Sequence, residues 1–365
     1  MRTIAWAEKL PSGKYRGLYR DARDVRRSAG TFTHKAEAKR RASAAEEKAR
    51  RLEWRDPAAA KRTWGDWCDS WWKSRTVEAA TLATDQGRRD KYLIPKWSTW
   101  PIGAITRHEV KVWRSELRDA GVSNSTINRA VALLSVSLTA ALDAEVIDVN
   151  PLLAMRKLPE PPPKHQRLTA EGYEELLRQL PTERDRLIVT FFASTGLRWG
   201  EVAGMHRARF DADAGTVTVV EAFSERVGVM MPYPKGKRSR VVPLPRWLVE
   251  VLEELPAVGR DCGVPHRTGT CPGPLLLTTP RGSVLRNTNW SPVWRRAVED
   301  AGVAPLRIHD LRVSAASWWL DGGVSVAEVR DLLGHRDSRT TDRYAALSGV
   351  NSARATEAIP KPSGL

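Results

Sequence analysis

HDLRVSAASWWLDGGVSVAEVRDLLGHRDSRTTDRY, residues 309–344, opens with His309 and Arg312 at i and i+3. A helix through them turns both side chains to one side. Helices are expected near 308–320 and 325–333. His335 follows the second, and Tyr344 lies nine positions beyond it in a polar, arginine-bearing segment. Tyrosine is scarce, with 6 in 365 residues, so this one calls for a reason. It is either a packing aromatic beside a small helix or a nucleophile, and the upstream sequence has to decide between the two.

Two upstream stretches bear on that choice. STGLRWGE, 194–201, sets Arg198 just after a glycine-marked turn and before a helical stretch. PKGKRSRVVPL, 234–244, offers Lys235 and Lys237 ahead of an apolar strand. Cleaving a phosphodiester without a metal needs a nucleophile, cationic donors for the non-bridging oxygens, and a proton for the leaving oxygen. Arginine suits the second task, because its planar fork grips phosphate oxygens in pairs and keeps its charge. Lysine or histidine suits the third. Each residue alone has a plainer reading: a surface arginine, a chance H-x-x-R, a solvated basic tip, a packed tyrosine. The ordered set Arg198, Lys235, His309, Arg312, His335 and Tyr344, each in its own context, supplies a candidate for each of these tasks.

Composition agrees. The net charge is +16 and the pI about 10.1, which favours a polyanionic partner. Residues 1–62 alone carry 18 Lys/Arg against 8 Asp/Glu, so the excess is concentrated at one end. No run of about 18 apolar residues suggests a span, and MRTIAWAEKLPSGK lacks the apolar core of a signal peptide. A cytoplasmic protein without membrane attachment is expected. Cys68, Cys262 and Cys271 are odd in number and scattered, which argues against a disulfide framework. Cys262, His266 and Cys271 fall within CGVPHRTGTC, but the spacing fits no common zinc pattern and offers no fourth donor. The sequence therefore predicts neither metal nor cofactor. Nor does it contain a G-x-x-x-x-G-K-[ST] loop.

Three segments are expected. Residues 1–60 read as a small three-stranded sheet, with strands near 3–10, 15–21 and 31–33. Turns at PSGK (11–14) and SAG (28–30) separate them, and a charged helix from about Lys35 to Arg55 follows. Residues 62–157 read as all-helical. Trp64, Trp67 and Trp71 recur at helical spacing, which favours core over a base-stacking platform. Thr106 and Ser123 or Asn124 are candidate caps. LPEPPPKHQ, 158–166, is a proline-rich linker that cannot continue a helix. Residues 167–365 mix helices with strands at TVTVV (216–220), within 235–244, where a basic-tipped hairpin is expected, and at PLLLT (274–278).

TGLRWGE, KGKRSRVVPL, HDLR and LLGH with its trailing tyrosine together resemble the motif set of the tyrosine recombinases, the phage integrase family. The likeness covers nearly the whole chain and is most specific over 194–344. VNP at 149–151, ahead of the linker, is similar to the junction between that family's DNA-clamping domains. The resemblance implies a small sheet-plus-helix arm-binding domain, an all-α, SAM-like core-binding domain, and a mixed α+β catalytic domain. It implies that Tyr344 forms a 3′-phosphotyrosyl link and that Arg198 and Arg312 hold the phosphate. His309 would move the nucleophile's proton, His335 would assist, and Lys235 would protonate the leaving 5′ oxygen. Glu201 would orient Arg198. Trp199 and Val313 depart from the family's usual residues.

The expected activity is site-specific recombination, integrating or excising a phage or mobile element. A dimer-resolving recombinase, a type IB topoisomerase-like enzyme and a non-catalytic DNA-binding relative are the alternatives. Partners implied are double-stranded attachment sites, a homo-tetramer on synapsed DNA, and a host DNA-bending protein and excision factor. The tail after Tyr344 would pack on a neighbouring protomer.

Overall fold

The chain divides at Pro161/Pro162 into two compact units, residues 1–161 and 162–365. The structure, a computed structural model, describes residues 5–20, 25–50, 61–161, 166–232, 239–334 and 359–360. Lys235, His335, Tyr344, the basic tip at 233–238 and Asp56-Pro57 lie outside the described residues.

The first unit begins with an antiparallel sheet in the order β1 (Trp6–Lys9), β2 (Tyr15–Arg20), β3 (Arg26–Phe32). Helix α1 (Lys35–Arg50) packs on it around Ala5, Tyr19 and Ala42. Gly17 permits the close approach, since a Cβ there would lie 2.4 Å from the Ala38 carbonyl oxygen. SAG does not form the expected turn. It is a β-bulge inside β3: Gly17 pairs with Gly30 and Leu18 with Ser28, leaving Ala29 unmatched. Gly30 takes the left-handed side at φ +114°, which suits a bulge as well as a turn.

The rest of this unit is helical: α2 (Trp64–Ser74), α3 (Ala79–Arg88), the short α4 (Ile94–Trp97), α5 (Arg107–Asp119) and α6 (Asn124–Asp143). Thr63, Thr106 and Ser123 cap α2, α5 and α6 by accepting the backbone N–H three residues on. Trp64, Trp67 and Trp71 are buried, and the Trp64 and Trp67 indoles donate to the hydroxyl and carbonyl of Ser137 at 2.9 and 3.0 Å. By length and composition alone, α6 could cross a membrane, contrary to the sequence expectation. Its Leu133, Leu134 and Leu138 instead fill the core shared with the tryptophans. The VNP junction is pinned from within: buried Asn150 donates to Ser135 O and Thr139 Oγ1 and accepts from Leu152 N. Asn128 on α6 exchanges hydrogen bonds with Leu158 at 3.0 and 2.9 Å, strapping the start of the proline-rich stretch to that helix.

The second unit surrounds two helices that are buried on nearly every side, α8 (Glu183–Thr195) and α12 (Asp310–Asp321). Around them lie α7 (Ala170–Gln179), α9 (Trp199–Ala203), α10 (Arg246–Glu253), α11 (Asn287–Asp300) and α13 (Val326–Leu333). Strands β4 (Phe210–Asp211), β5 (Thr216–Val219) and β8 (Arg240–Pro243) form one antiparallel sheet, and β6 (Ala222–Ser224) pairs with β7 (Val229–Met231) in another. The strands on either side of the basic segment, β7 and β8, therefore belong to different sheets. Among the described residues, β8 pairs with β5 rather than with the strand before the tip. PLLLT is not a strand. It makes a single bridge from Leu275 to His206, and Leu275, Leu276 and Leu277 are all buried rather than alternating. Ile359 is buried in this unit's own core, so this part of the tail packs against its own chain.

Candidate active site

Arg198 sits at the N-cap of α9, directly after the turn that ends α8. Gly196 makes that turn in the left-handed conformation at φ +57°. A Cβ at Gly196 would also press to 2.9 Å on the end of the Leu333 side chain, so alanine there would be strained in its backbone and would push Leu333 aside. Glu201, one turn into α9, binds Arg198 twice: Oε2 accepts the Arg198 backbone N–H and Oε1 the guanidinium, both at 2.9 Å. The expected orienting role has this geometry. Trp199 stacks on Trp290 at 5.3 Å, and the Trp290 indole donates to Asp185 at 2.9 Å. The unusual tryptophan thus anchors the backbone beside Arg198.

Glu201 has a second cation that the sequence did not single out. Arg240, at the start of β8, donates to it at 2.5 and 3.3 Å. The only hint in the sequence was position, since Arg240 immediately precedes the apolar VVPL strand. Glu201 is 1 % exposed. Burial opposes its ionisation, but the hydrogen bond and charge of Arg240, then the charge of Arg198, outweigh burial and hold the carboxyl below the usual carboxylate range.

Arg312 lies one turn into α12 and is 3 % exposed. It donates to the carbonyls of Gly196 and Leu333, both at 2.5 Å, while Arg240 donates to Leu332 O at 2.6 Å. Two arginines thus receive the carbonyls at the C-terminal end of α13, where a helix lacks partners and carries negative dipole. Gly334 closes α13 at φ +66°. The same arginines that build the site therefore hold the C-terminal end of α13.

His309 precedes α12. Its neighbour Asp310 is held by Arg307 through a backbone N–H and two guanidinium contacts at 2.7–3.0 Å. Partial burial of the ring lowers the His309 pKa, as do the charges of Arg312 and Arg198. The structure thus brings together Arg198, Glu201, Arg240, His309 and Arg312: a cationic cluster with an imidazole biased toward its neutral form. Val313 points into the core at 5 % exposure.

A second basic feature lies in the first unit. Lys111, Arg114 and Arg118 on α5 line a groove of about 430 Å³ with Arg156 and Lys157. Arg114 donates to Arg156 O at 3.0 Å, fixing one wall. Among the described residues that line it, none is acidic.

Comparison with known proteins agrees with this geometry. The phage integrase family profile matches residues 166–349. The tyrosine recombinase XerA of Thermococcus kodakarensis is 28 % identical over 272 residues, 73 % of this chain and 86 % of that one. The integrase of Mycobacterium phage D29 is 25 % identical over 327 residues, 86 % and 84 % of the two chains. Among solved structures, a lambda integrase dimer bound to a COC′ core site superposes with TM-score 0.63 at 18 % identity, covering 93 % of each chain. The Tn1549 transposon integrase with a circular intermediate DNA gives TM-score 0.66 at 16 % identity, covering 81 % of this chain and 98 % of that one. The solved structures speak to the fold and the profile to descent: the chain belongs to the phage integrase family and is a tyrosine recombinase.

Proposed function

We propose that this recombinase integrates and excises a mobile element by cutting and rejoining double-stranded attachment sites through a 3′-phosphotyrosyl intermediate. Tyr344 attacks phosphorus, the P–O5′ bond breaks, and the 5′ oxygen leaves with a proton from Lys235. The tyrosine proton passes to His309. Arg198 and the edge of Arg312 bind the non-bridging oxygens as charge grows on the transition state, and His335 holds the phosphate or the nucleophile. The phosphotyrosine keeps the energy of the broken ester, so religation reverses the steps without ATP. The observation that carries this reading is the cationic cluster around Glu201, whose arginines also hold the end of α13 that leads to His335 and Tyr344.

Residues 1–60 would bind arm-type sites, 62–157 the core site, and 167–365 would perform catalysis, joined through 158–166. A lambda integrase tetramer has been seen on a Holliday junction, and a tetramer on synapsed DNA is proposed here too. The basic N-terminal segment favours an integrase over a dimer-resolving recombinase. The test is to trap the covalent complex on DNA flanking the gene and map the modified peptide. Attachment at Tyr344 is expected, and attachment elsewhere would end this reading.

The charge of the α5 groove predicts a salt effect. Each phosphate contact contributes a slope of about −0.9 in log K against log salt. Lys111→Ala and Arg118→Ala are each expected to weaken core-site binding for all sequences alike and to flatten that slope by about one. An unchanged slope in fluorescence anisotropy titrations would remove the groove from the interface.

The His309 shift predicts a pH effect. A base must be unprotonated, so a lowered pKa extends cleavage to lower pH than an ordinary histidine, at about 6.5, would allow. Single-turnover cleavage of a nicked substrate should therefore lose rate only below that value. His309→Gln should be slow at every pH and lack this limb. The same limb persisting in the variant would assign it to another group.

A further inference from the structure

Behind the helix that carries Arg198 lies a cluster whose chemistry recombination does not use. Cys262, His266 and Cys271 come from the loop between α10 and α11, and His206 follows α9. His206 is the fourth donor that the sequence did not reveal, because it lies far upstream and only the fold brings it to the loop. The sequence expectation of no metal site rested on the lack of a fourth donor, and His206 supplies one.

We propose that His206, Cys262, His266 and Cys271 bind one zinc ion in a closed, structural site. One donor atom from each residue lies within 4.8 Å of all the others. Cys262 Sγ is 3.2 Å from His266 Nε2, and Cys271 Sγ is 3.7 Å from His206 Nε2. A tetrahedron with Zn–S near 2.3 Å and Zn–N near 2.0–2.1 Å has S···N edges of about 3.5 Å, which these two distances bracket. His206 and Cys262 are 0 % and 1 % exposed. The ligand set is two thiolates and two imidazoles, with no position left open for substrate, as in structural rather than catalytic zinc sites.

Glu221 supplies the second, independent observation. The Nδ1 atoms of both histidines lie near its carboxylate, His206 at 2.9 Å and His266 at 3.8 Å; the first contact is close but poorly aligned for a hydrogen bond, and the second is a charge contact only. A carboxylate on Nδ1 sets the tautomer that leaves Nε2 as the metal-binding nitrogen and orients the ring. The carboxylate lies on the Nδ1 side of both imidazoles and both Nε2 atoms face thiols, which is the sense of orientation that binding a metal through Nε2 requires. Without an ion it leaves four donors facing one another.

The site would staple the loop to the catalytic framework. Met230 N donates to Pro265 O at 2.8 Å, and Arg267 N to Met230 O at 3.0 Å, so the loop grips β7. Strand β6, paired with β7, lies against α9, where a Cβ at Gly200 or Gly204 would come within 2.6 Å of the Phe223 backbone. Zinc would thus stiffen the support beneath Arg198 and Glu201, and the strand that precedes Lys235, without touching the phosphate. The proposal stands whether or not Tyr344 is the nucleophile.

The test uses full-length protein carrying no histidine tag, purified with zinc in the medium. Elemental analysis should find about one zinc per chain, retained in Cys68→Ser and lost in the double variant Cys262→Ser/Cys271→Ser. Exchange for Co²⁺ should give the strong visible bands of a tetrahedral site and thiolate-to-metal charge transfer. Glu221→Gln should keep the spectrum and weaken affinity about 10- to 100-fold. Folded wild type that holds no zinc and takes up no Co²⁺ would overturn the proposal. So would zinc retained in the double variant, or an intact mass showing Cys262 and Cys271 joined as a disulfide.

Discussion

Tyr344→Phe is expected to abolish the covalent protein–DNA adduct while leaving binding to the attachment site unchanged. The substitution removes one oxygen and keeps the ring, so any packing role would survive it. Loss of a covalent nucleophile costs far more than loss of a contact, and a fall in strand cleavage of at least about a thousandfold is expected. The assay mixes wild type or variant with a nicked core-site duplex, stops the reaction with detergent, and counts adducts on a gel. Arg198→Ala is the useful companion. It keeps the tyrosine but removes a phosphate clamp, so both variants should bind and neither should cleave. Adduct formed equally by wild type and Tyr344→Phe would show that another residue attacks. Because the proposed zinc lies away from the phosphate, brief EDTA treatment should not stop cleavage, whereas prolonged chelation should lower thermal stability.

What could be read in advance follows a physical line. Helix caps, the tryptophan stripe and the alternating TVTV strand are written locally, within one or two turns of chain, and Thr106, Ser123, Trp64 and Val217 behave as local rules require. The bulge at Ala29 was mistaken for a turn because a glycine marks both. PLLLT was mistaken for a strand because apolar runs reveal burial but not pairing. At the site, Arg198, Glu201, His309 and Arg312 were legible as motifs, and the structure brings them together. Arg240 and His206 were not legible, because their meaning comes from partners distant in sequence: Glu201 for the first, the 262–271 loop for the second. A charge or a donor becomes a site only when topology supplies its complement.

Glu201→Ala is expected to be among the most destabilising single changes in the second unit. The carboxylate is 1 % exposed and joins two cations, of which Arg240 has a side chain only 7 % exposed. Removing it leaves a buried guanidinium facing a cavity, and breaking such a pair costs about 3–5 kcal/mol. For a unit of this size that lowers the melting temperature on the order of 10 °C. Cleavage should fall as well, since Arg198 loses the group that holds both its backbone and its side chain. Glu201→Gln separates charge from shape. The Glu201 carboxyl titrates below its ordinary value in the folded chain, so its contribution is full above about pH 4.3 and disappears as pH falls through the lower, folded value. The stability gap between wild type and Glu201→Gln, measured by urea melts, should therefore be widest near neutrality and narrow only in acid below that point. A gap that stayed constant down to about pH 3 would mean that the glutamate acts through packing, and that Arg198 and Arg240 are held in place by the backbone carbonyls and not by its charge.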